Sequence, residues 1–248
     1  MRLFDAHNHL QDIQFDKKVN KIISDCNHIG LTRMVTNGTN ENDWKTISSL
    51  AKVYSQIIPS FGLHPWFIND RSSNWFKLLE QKIDNHNGAV GEIGLDLFRK
   101  KLQYNEQKEV FLSQLQLSAD RNIPVSIHCI KAWNQIYNLL SDNQLPKRGF
   151  LLHGFSGPAE MINPLTNLGA YFSFSGSFAH ANKSRQRNNF CKIPINRILI
   201  ETDAPFQLMP DNFITHPLEQ KINHPANIKS IYKCAAECIG IPYEELTV

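Results

Sequence analysis

Phe4-Asp5-Ala6-His7-Asn8-His9 sets two imidazoles two residues apart at the end of a short apolar run that begins with the chain. In an extended strand residues i and i+2 project to the same side, so His7 and His9 can converge on one point. That is the geometry a divalent cation asks of two neutral nitrogen ligands. Taken alone, the pair is equally compatible with a surface turn. Its meaning depends on what lies downstream.

Outward from that stretch, short β-rich runs alternate with amphipathic or polar helical runs along the whole length, a pattern that predicts a parallel sheet. Strands are expected near Arg2–Ala6, Arg33–Asn37, Ile57–Gly62, Ala89–Ile93, Val125–His128, Gly149–His153, Ala170–Phe174 and Ile198–Glu201. Helices are expected near Asp16–Asn27, Glu41–Tyr54, Asn74–Asn85, Glu106–Arg121, Ala132–Ser141, Ala159–Leu168, Ser184–Cys191 and Ala226–Cys238. In the last of these Ile228, Ile231, Tyr232, Ala235 and Ile239 recur at three- and four-residue steps, and Pro225 suits the first turn. Phe111, Leu115 and Ala119 form a similar stripe, and both stripes are expected to face the core. Pro242-Tyr243-Glu244-Glu245 looks like the start of a further helix, with little chain left to continue it.

Length and composition are consistent with this alternation. A chain of 248 residues with 42% hydrophobic content can hide roughly 70–75% of its unfolded surface in a core, and about 250 residues is the usual size of a (β/α)8 barrel. No linker, low-complexity tract or internal repeat divides it, so residues 1–248 are expected to form a single TIM-barrel domain. With 26 basic and 23 acidic residues the net charge is +3, too nearly balanced to identify a nucleic-acid binder from bulk electrostatics. The five cysteines are odd in number and lack a C-x-x-C, which speaks against a disulfide framework or a thiolate zinc site. No apolar run approaches the ~18 residues of a membrane span, and no charged leader precedes the first strand. A cytoplasmic location, with reduced thiols and no membrane contact, is the expectation.

Five of the eight expected strands end in a potential metal ligand: His7 and His9 after the first, Glu92 in the fourth, His128 after the fifth, His153 after the sixth and Asp203 after the eighth. In a parallel barrel the C-terminal strand ends share one rim, so six side chains spread over nearly the whole chain would meet in one pocket. Each has an ordinary alternative: His128 and His153 as satisfied core histidines, Glu92 capping a turn, Asp203 capping a short helix before Pro205. Six together make that explanation poor. Six ligands exceed one tetrahedral shell, so two ions are the economical assignment, with a carboxylate able to bridge them. Glu92, on a central strand, is the better bridge, while Asp203 can close beside His7 and His9 as the barrel seals.

Asp5-Ala6-His7-Asn8-His9, Gly91-Glu92-Ile93-Gly94-Leu95-Asp96, His153-Gly154-Phe155-Ser156-Gly157 and Glu201-Thr202-Asp203-Ala204-Pro205 resemble, in order, the signature blocks of the TatD family of metal-dependent hydrolases and deoxyribonucleases. Gly62-Leu63-His64-Pro65 and the run from Asn223 to Asn227 are similar to further family segments. The resemblance implies an amidohydrolase-like TIM barrel in which His7, His9, Glu92 and Asp203 hold one ion and Glu92, His128 and His153 the other. Zinc, manganese and magnesium all suit four histidines and two carboxylates. The sequence also departs from the family. Cys129, Ile130 and Lys131 follow His128 where many members carry an arginine two residues on, and Lys131 can replace its charge but not its bidentate fork. Leu97-Phe98 stands where paired aromatics are common, and the family's usual final helix is lacking.

These readings imply metal-assisted hydrolysis, with Glu92 bridging the ions and Asp203 orienting the attacking water and taking its proton. The expected substrate is DNA with an accessible strand end. No obligatory protein partner is expected, and the chain is expected to be a monomer or weak oligomer. His64, at the end of the third strand, is assigned to substrate contact or to support of the ligands. Arg99-Lys100-Lys101 after the fourth strand, Lys131, and Lys183, Arg185 and Arg187 after the seventh are candidates for phosphate contact, and Trp66 and Phe67 for base stacking. Two other readings stay open. One is hydrolysis of an amide, lactone or cyclic amidine by the same metals; the other is a non-catalytic binding protein on the same barrel.

Overall fold

The computed structural model describes residues 2–99 and 103–247. Eight strands form one parallel sheet in sequential order: β1 Leu3–Asn8, β2 Leu31–Asn37, β3 Ile57–Phe61, β4 Ala89–Asp96, β5 Val125–Ile130, β6 Phe150–Leu152, β7 Ala170–Ser175 and β8 Ile198–Glu201. Among the described residues each strand is followed by an α-helix: α1 Val19–His28, α2 Glu41–Val53, α3 Trp75–His86, α4 Tyr104–Arg121, α5 Trp133–Ser141, α6 Ile162–Asn167, α7 Ser184–Phe190 and α8 Ile228–Ile239. The architecture is a (β/α)8 barrel with the helices outside. No helix among the described residues is long and apolar enough to cross a membrane.

Each element expected from the sequence is present, with shifted ends. The run expected as a helix from Asp16 starts at Val19, because Asp12 caps a separate 3-10 turn over Ile13–Phe15 and Lys17 then takes φ +61°. The run from Ala159 opens as a 3-10 turn before α6. Past Pro242 the chain makes a 3-10 turn over Tyr243–Leu246. Strands β4 and β5 outrun expectation because their ladder continues through Gly94↔His128 and Asp96↔Ile130, which places His128 within its strand. Gly94 permits that close approach: its φ is +152°, and a Cβ there would lie 2.0 Å from the His128 carbonyl oxygen.

The sheet closes between its first and last strands through the segment that follows β8. Asp203 N–H donates to His7 O at 2.9 Å and His9 N–H to Ala204 O at 2.7 Å. Below them the buried Asp5 carboxylate accepts Thr202 N–H at 2.9 Å. Helix α8 covers the seam with Ile228, Ile231, Tyr232 and Ala235 buried, and the Tyr232 hydroxyl donates to Phe4 O at 2.9 Å. Phe111, Leu115 and Ala119 of α4 are buried as their stripe predicts.

Two buried glutamines on α4 fix loops at the rim. The Gln114 amide accepts Leu63 N–H at 2.7 Å and donates to Leu63 O at 3.2 Å. Gln107 does the same for Asp96, at 2.7 and 3.0 Å. An amide that satisfies both backbone groups of one residue sets that residue's position and orientation together, so α4 locates the turn bearing His64 and the end of β4.

Candidate metal centre

The two-residue step along β1 brings His7 Nε2 and His9 Nε2 to 3.2 Å. The far nitrogen of each ring is engaged: His7 Nδ1 lies 2.8 Å from Ser126 Oγ, and His9 Nδ1 lies 2.9 Å from the Asn37 carbonyl. A carbonyl only accepts, so His9 carries a proton on Nδ1, and the neutral ring presents the Nε2 lone pair to the centre. Glu92 Oε2 stands 3.4 Å from His7 Nε2 and 3.3 Å from His9 Nε2. Asp203 Oδ1 stands 3.8 and 3.3 Å from the same two atoms. Donors at about 2.0–2.1 Å from a tetrahedral cation lie about 3.3–3.4 Å from one another, and these separations cluster around that value. Asp203 Oδ1 is buried yet has no hydrogen-bond partner, and its residue takes φ +50°, a left-handed conformation that aspartate tolerates better than most residues.

The other carboxylate oxygen of Glu92 serves a second group. Glu92 Oε1 lies 2.8 Å from His153 Nε2 and 3.0 Å from His128 Nδ1, and those nitrogens are 3.3 Å apart. Carboxylates stand behind both rings. His128 Nε2 is 3.5 Å from Asp96 Oδ2, and His153 Nδ1 is 3.6 Å from Glu201 Oε1. Asp96 is held by the Trp66 indole N–H at 2.6 Å and by Phe98 N–H at 2.9 Å, and Glu201 by the Ser173 hydroxyl at 2.5 Å. Six side chains far apart in sequence thus meet at one end of the barrel, where His7 with His153 and Asp203, His7 with His9 and Glu92, and His64 with Glu92 and His128 form groups that could hold a metal ion.

The protonation pattern shows an excess of negative charge. Burial opposes charge on His9 and His153, yet Asp203 and Glu92 around the first, and Glu92 and Glu201 around the second, hold both pKa values well above the imidazole range. Burial likewise opposes ionisation of Glu92, but His153, His64 and His128 keep it well below the usual carboxylate range. Four buried carboxylates, Glu92, Asp96, Glu201 and Asp203, face this cluster, so protons are drawn onto His9 and His153, whose lone pairs a cation would otherwise take, while burial holds the His7 pKa down. The donor set, its spacing and its charge all fit divalent ions.

His64 behaves differently. Its Nδ1 accepts Trp66 N–H at 3.1 Å, so the neutral ring carries its proton on Nε2, which points at Glu92 Oε1 from 3.5 Å. Burial pushes its pKa down to about 4. With that tautomer His64 turns an N–H toward the centre, while its place beside Glu92 and His128 also makes it a candidate ligand.

Asp96, Glu201, Ser126, Ser173 and Asn37 were not singled out for the site from the sequence. Asp96 and Glu201 sit in the signature blocks, two positions from a glycine and an aspartate respectively. Ionisable residues at strand positions whose neighbours read as core were the available signal.

The rim basic residues are placed less favourably than the sequence suggested. The pocket over the centre, about 730 Å³, is lined by His9, His64, Trp66, Glu92, His128, Ile130, His153, Asp203 and Phe206 among others, and Arg99, Lys131 and Arg185 are not among its lining residues. The Arg99 guanidinium stacks 3.6 Å over Trp66, and Lys131 Nζ lies 4.6 Å over Phe98. Arg185 is exposed on α7. Arg187 donates to the carbonyls of Phe178 and His180 at 2.5 and 2.6 Å, a structural use. Lys100 and Lys101 lie outside the described residues. Trp66 is committed to Asp96 through its N–H and to Arg99 through its face, while Phe206, 49% exposed and 5.9 Å from the His9 ring, and Phe67 also line the pocket. Two residues after His128, where many family members carry an arginine, Ile130 lines the pocket. A separate apolar cavity of about 330 Å³ at the opposite end of the barrel contains none of the six converging residues.

Fold and site define the class: a metal-dependent hydrolase on a parallel (β/α)8 barrel. The chain belongs to the family of TatD-related DNases, whose model matches residues 4–248. It is 30% identical to the 3'-5' ssDNA/RNA exonuclease TatD of Escherichia coli, covering 96% of this chain and 92% of that protein. It is also 30% identical to the uncharacterized metal-dependent hydrolase YabD of Bacillus subtilis, over 98% and 94%. The crystal structure of the TatD homologue YjjV from Escherichia coli superposes with TM-score 0.91 at 25% identity, covering 99% of this chain and 93% of that one. An uncharacterized amidohydrolase from Saccharomyces cerevisiae shares the fold at TM-score 0.82 and 17% identity.

Proposed function

We propose that this enzyme hydrolyses phosphodiester bonds at accessible ends of DNA strands, using two divalent cations. One ion is held by His7, His9, Glu92 and Asp203, the other by Glu92, His128 and His153. The carrying observation is the position of Glu92: Oε2 faces the His7–His9 pair at 3.4 and 3.3 Å, while Oε1 faces the His128–His153 pair at 3.0 and 2.8 Å. The residues fit magnesium, manganese or zinc. When bound, the ions supply an acidified water and electrostatic stabilisation of charge on the attacked phosphoryl oxygens.

The chain's own groups do the rest. Asp203, buried beside the His7–His9 pair, orients the attacking water and takes its proton. Glu92 holds the two halves of the site in fixed register. His64 donates its Nε2–H toward a phosphoryl oxygen, and remains a donor across the neutral range because burial keeps it uncharged.

The depth of the pocket favours a strand end. An intact duplex is too broad to deliver a scissile phosphate to a barrel floor, whereas a frayed or single-stranded end can enter. The Escherichia coli relative is named a 3'-5' ssDNA/RNA exonuclease, which supports attack at a strand end. Arg99, Lys131 and Arg185 are the candidates for contact with the flanking phosphates outside the pocket. All five cysteines are free thiols, which suits a reducing cytoplasm, and we take the enzyme to act as a monomer or weak oligomer.

The test is an end-labelled oligonucleotide with a free or blocked 3′ end, incubated with chelated protein reloaded with single metals. Amide and lactone substrates are run beside it. The expected result is metal-dependent shortening that blocking prevents. Cleavage indifferent to both blocking and chelation, or brisk amide or lactone hydrolysis with none on DNA, would overturn the proposal.

A further inference from the structure

Away from the metal centre, two cysteines meet on the outer helix layer. Cys191 ends α7 and is exposed, and Cys238 lies in the last turn of α8, half-buried. Their Sγ atoms are 3.4 Å apart, although 47 residues separate them in sequence. The Cys191 thiol donates to Cys238 O at 3.0 Å, and the Cys238 thiol approaches Arg187 O at 3.6 Å. The thiols are thus held by backbone acceptors from each other's neighbourhood.

We propose that Cys191 and Cys238 form an oxidisable dithiol that closes to a disulfide in the presence of a hydroperoxide. A disulfide needs about 2.05 Å between sulfurs, so the pair must close by little more than an ångström, within the reach of side-chain rotation. The exposed Cys191 reacts first. Its sulfur attacks the peroxide O–O bond, keeps one oxygen as a sulfenic acid and releases an alcohol, or water when the oxidant is hydrogen peroxide. Cys238 then attacks that sulfur, the S–S bond forms, and the sulfenic oxygen leaves as water with the Cys238 proton. The two thiols lose two electrons and two protons, and the peroxide is reduced by two electrons.

The bond would staple α7 to α8 beside a frame that reaches the barrel mouth. Arg187 of α7 grips Phe178 O and His180 O in the segment after β7, and His180 Nε2–H donates to Leu208 O at 3.0 Å in the segment after β8. Cross-linking at Cys191 and Cys238 removes freedom from the unfolded chain over a 47-residue separation.

The purified full chain is treated with hydrogen peroxide, alkylated under denaturing conditions and digested without reductant. The proposal expects alkylatable thiols to fall from five to three, one cross-linked peptide joining Cys191 to Cys238, and a melting temperature raised by roughly 5–10 °C that dithiothreitol reverses. Cys191→Ser, at an exposed position, should lose both the cross-link and the shift, while Cys234→Ser keeps both. Five thiols surviving peroxide, a cross-link through Cys234, an intermolecular bond, or a disulfide without a rise in melting temperature would each overturn it.

Discussion

The carboxylate of Asp5 accepts both the backbone N–H of Thr202, at 2.9 Å, and its hydroxyl, at 2.6 Å, joining the first strand to the segment after the last. His7 and His9 lie just beyond Asp5 on one side of this seam, and Asp203 follows Thr202 on the other. The bonds that close the barrel are therefore the bonds that bring Asp203 to the two histidines. Folding and assembly of this half of the candidate site are one event.

Glu92→Gln is expected to lower metal content in both halves of the site, because an amide lacks the charge that faces all four histidines. Asp203→Asn is expected to retain the ion held by His128 and His153 while abolishing turnover. Elemental analysis and calorimetric metal titration check this; equal metal content and near-normal rates in both variants would show the roles misassigned.

Glu201→Gln and Asp96→Asn should weaken metal binding by about 10–100-fold without removing a ligand, since each carboxylate stands close behind one imidazole, at 3.6 and 3.5 Å. Glu201 stands behind His153 and Asp96 behind His128. The readout is the metal dissociation constant. A change confined to thermal stability would reduce both residues to packing.

His64→Ala should leave metal content intact and cut kcat by about 100-fold or more, the cost typical of losing one donor to developing charge. The prediction follows from the tautomer that Trp66 N–H imposes on the ring. Loss of a metal ion from this variant would instead make His64 a ligand.

Gly94→Ala should destabilise the fold by about 3 kcal/mol or more and impair metal binding with it. The added methyl would sit 2.0 Å from the His128 carbonyl oxygen at φ +152°. Urea denaturation measures the loss, and a variant within about 0.5 kcal/mol of the parent would contradict the required close approach.

Buried His224 should make stability fall on acidification. Burial lowers its pKa to about 4, with His216 reinforcing the shift and Asp25 opposing it, and Lys21 lies beyond Asp25. Its unfolded value is near 6.5, so the unfolded chain binds the extra proton first. The stabilisation is complete above pH 6.5 and is lost as pH falls through about 4, amounting to roughly 3 kcal/mol. His224→Asn, which can still accept Ala226 N–H, should flatten the pH dependence of urea midpoints between pH 4 and 7. An unchanged slope would assign the acid sensitivity elsewhere.

Much of this architecture is local information. The alternation of β-rich and amphipathic runs registers in every window of the sequence because period 2 and period 3.6 reflect side-chain direction along each element, so all eight strands and all eight helices are legible. The ligand types at the strand ends are legible for a related reason: in a parallel barrel those ends share a rim, whatever lies between them. Strand ends are less legible. β4 runs to Asp96 and not Ile93 because a partner strand extends it, and a partner is not visible locally.

By itself the sequence determined the element order, the barrel and the six side chains that would have to meet. Only the tertiary structure decided what each of them does with its atoms. That His9 presents Nε2 depends on a carbonyl 28 residues away, and that His64 turns an N–H to the centre depends on the Trp66 amide. The backing of His128 and His153 by Asp96 and Glu201, and the diversion of Arg187 to carbonyls, are likewise facts of distance. A proton's place on an imidazole and the free lone pair of a carboxylate are set by neighbours within about 3 Å, and such neighbours come from any part of the chain.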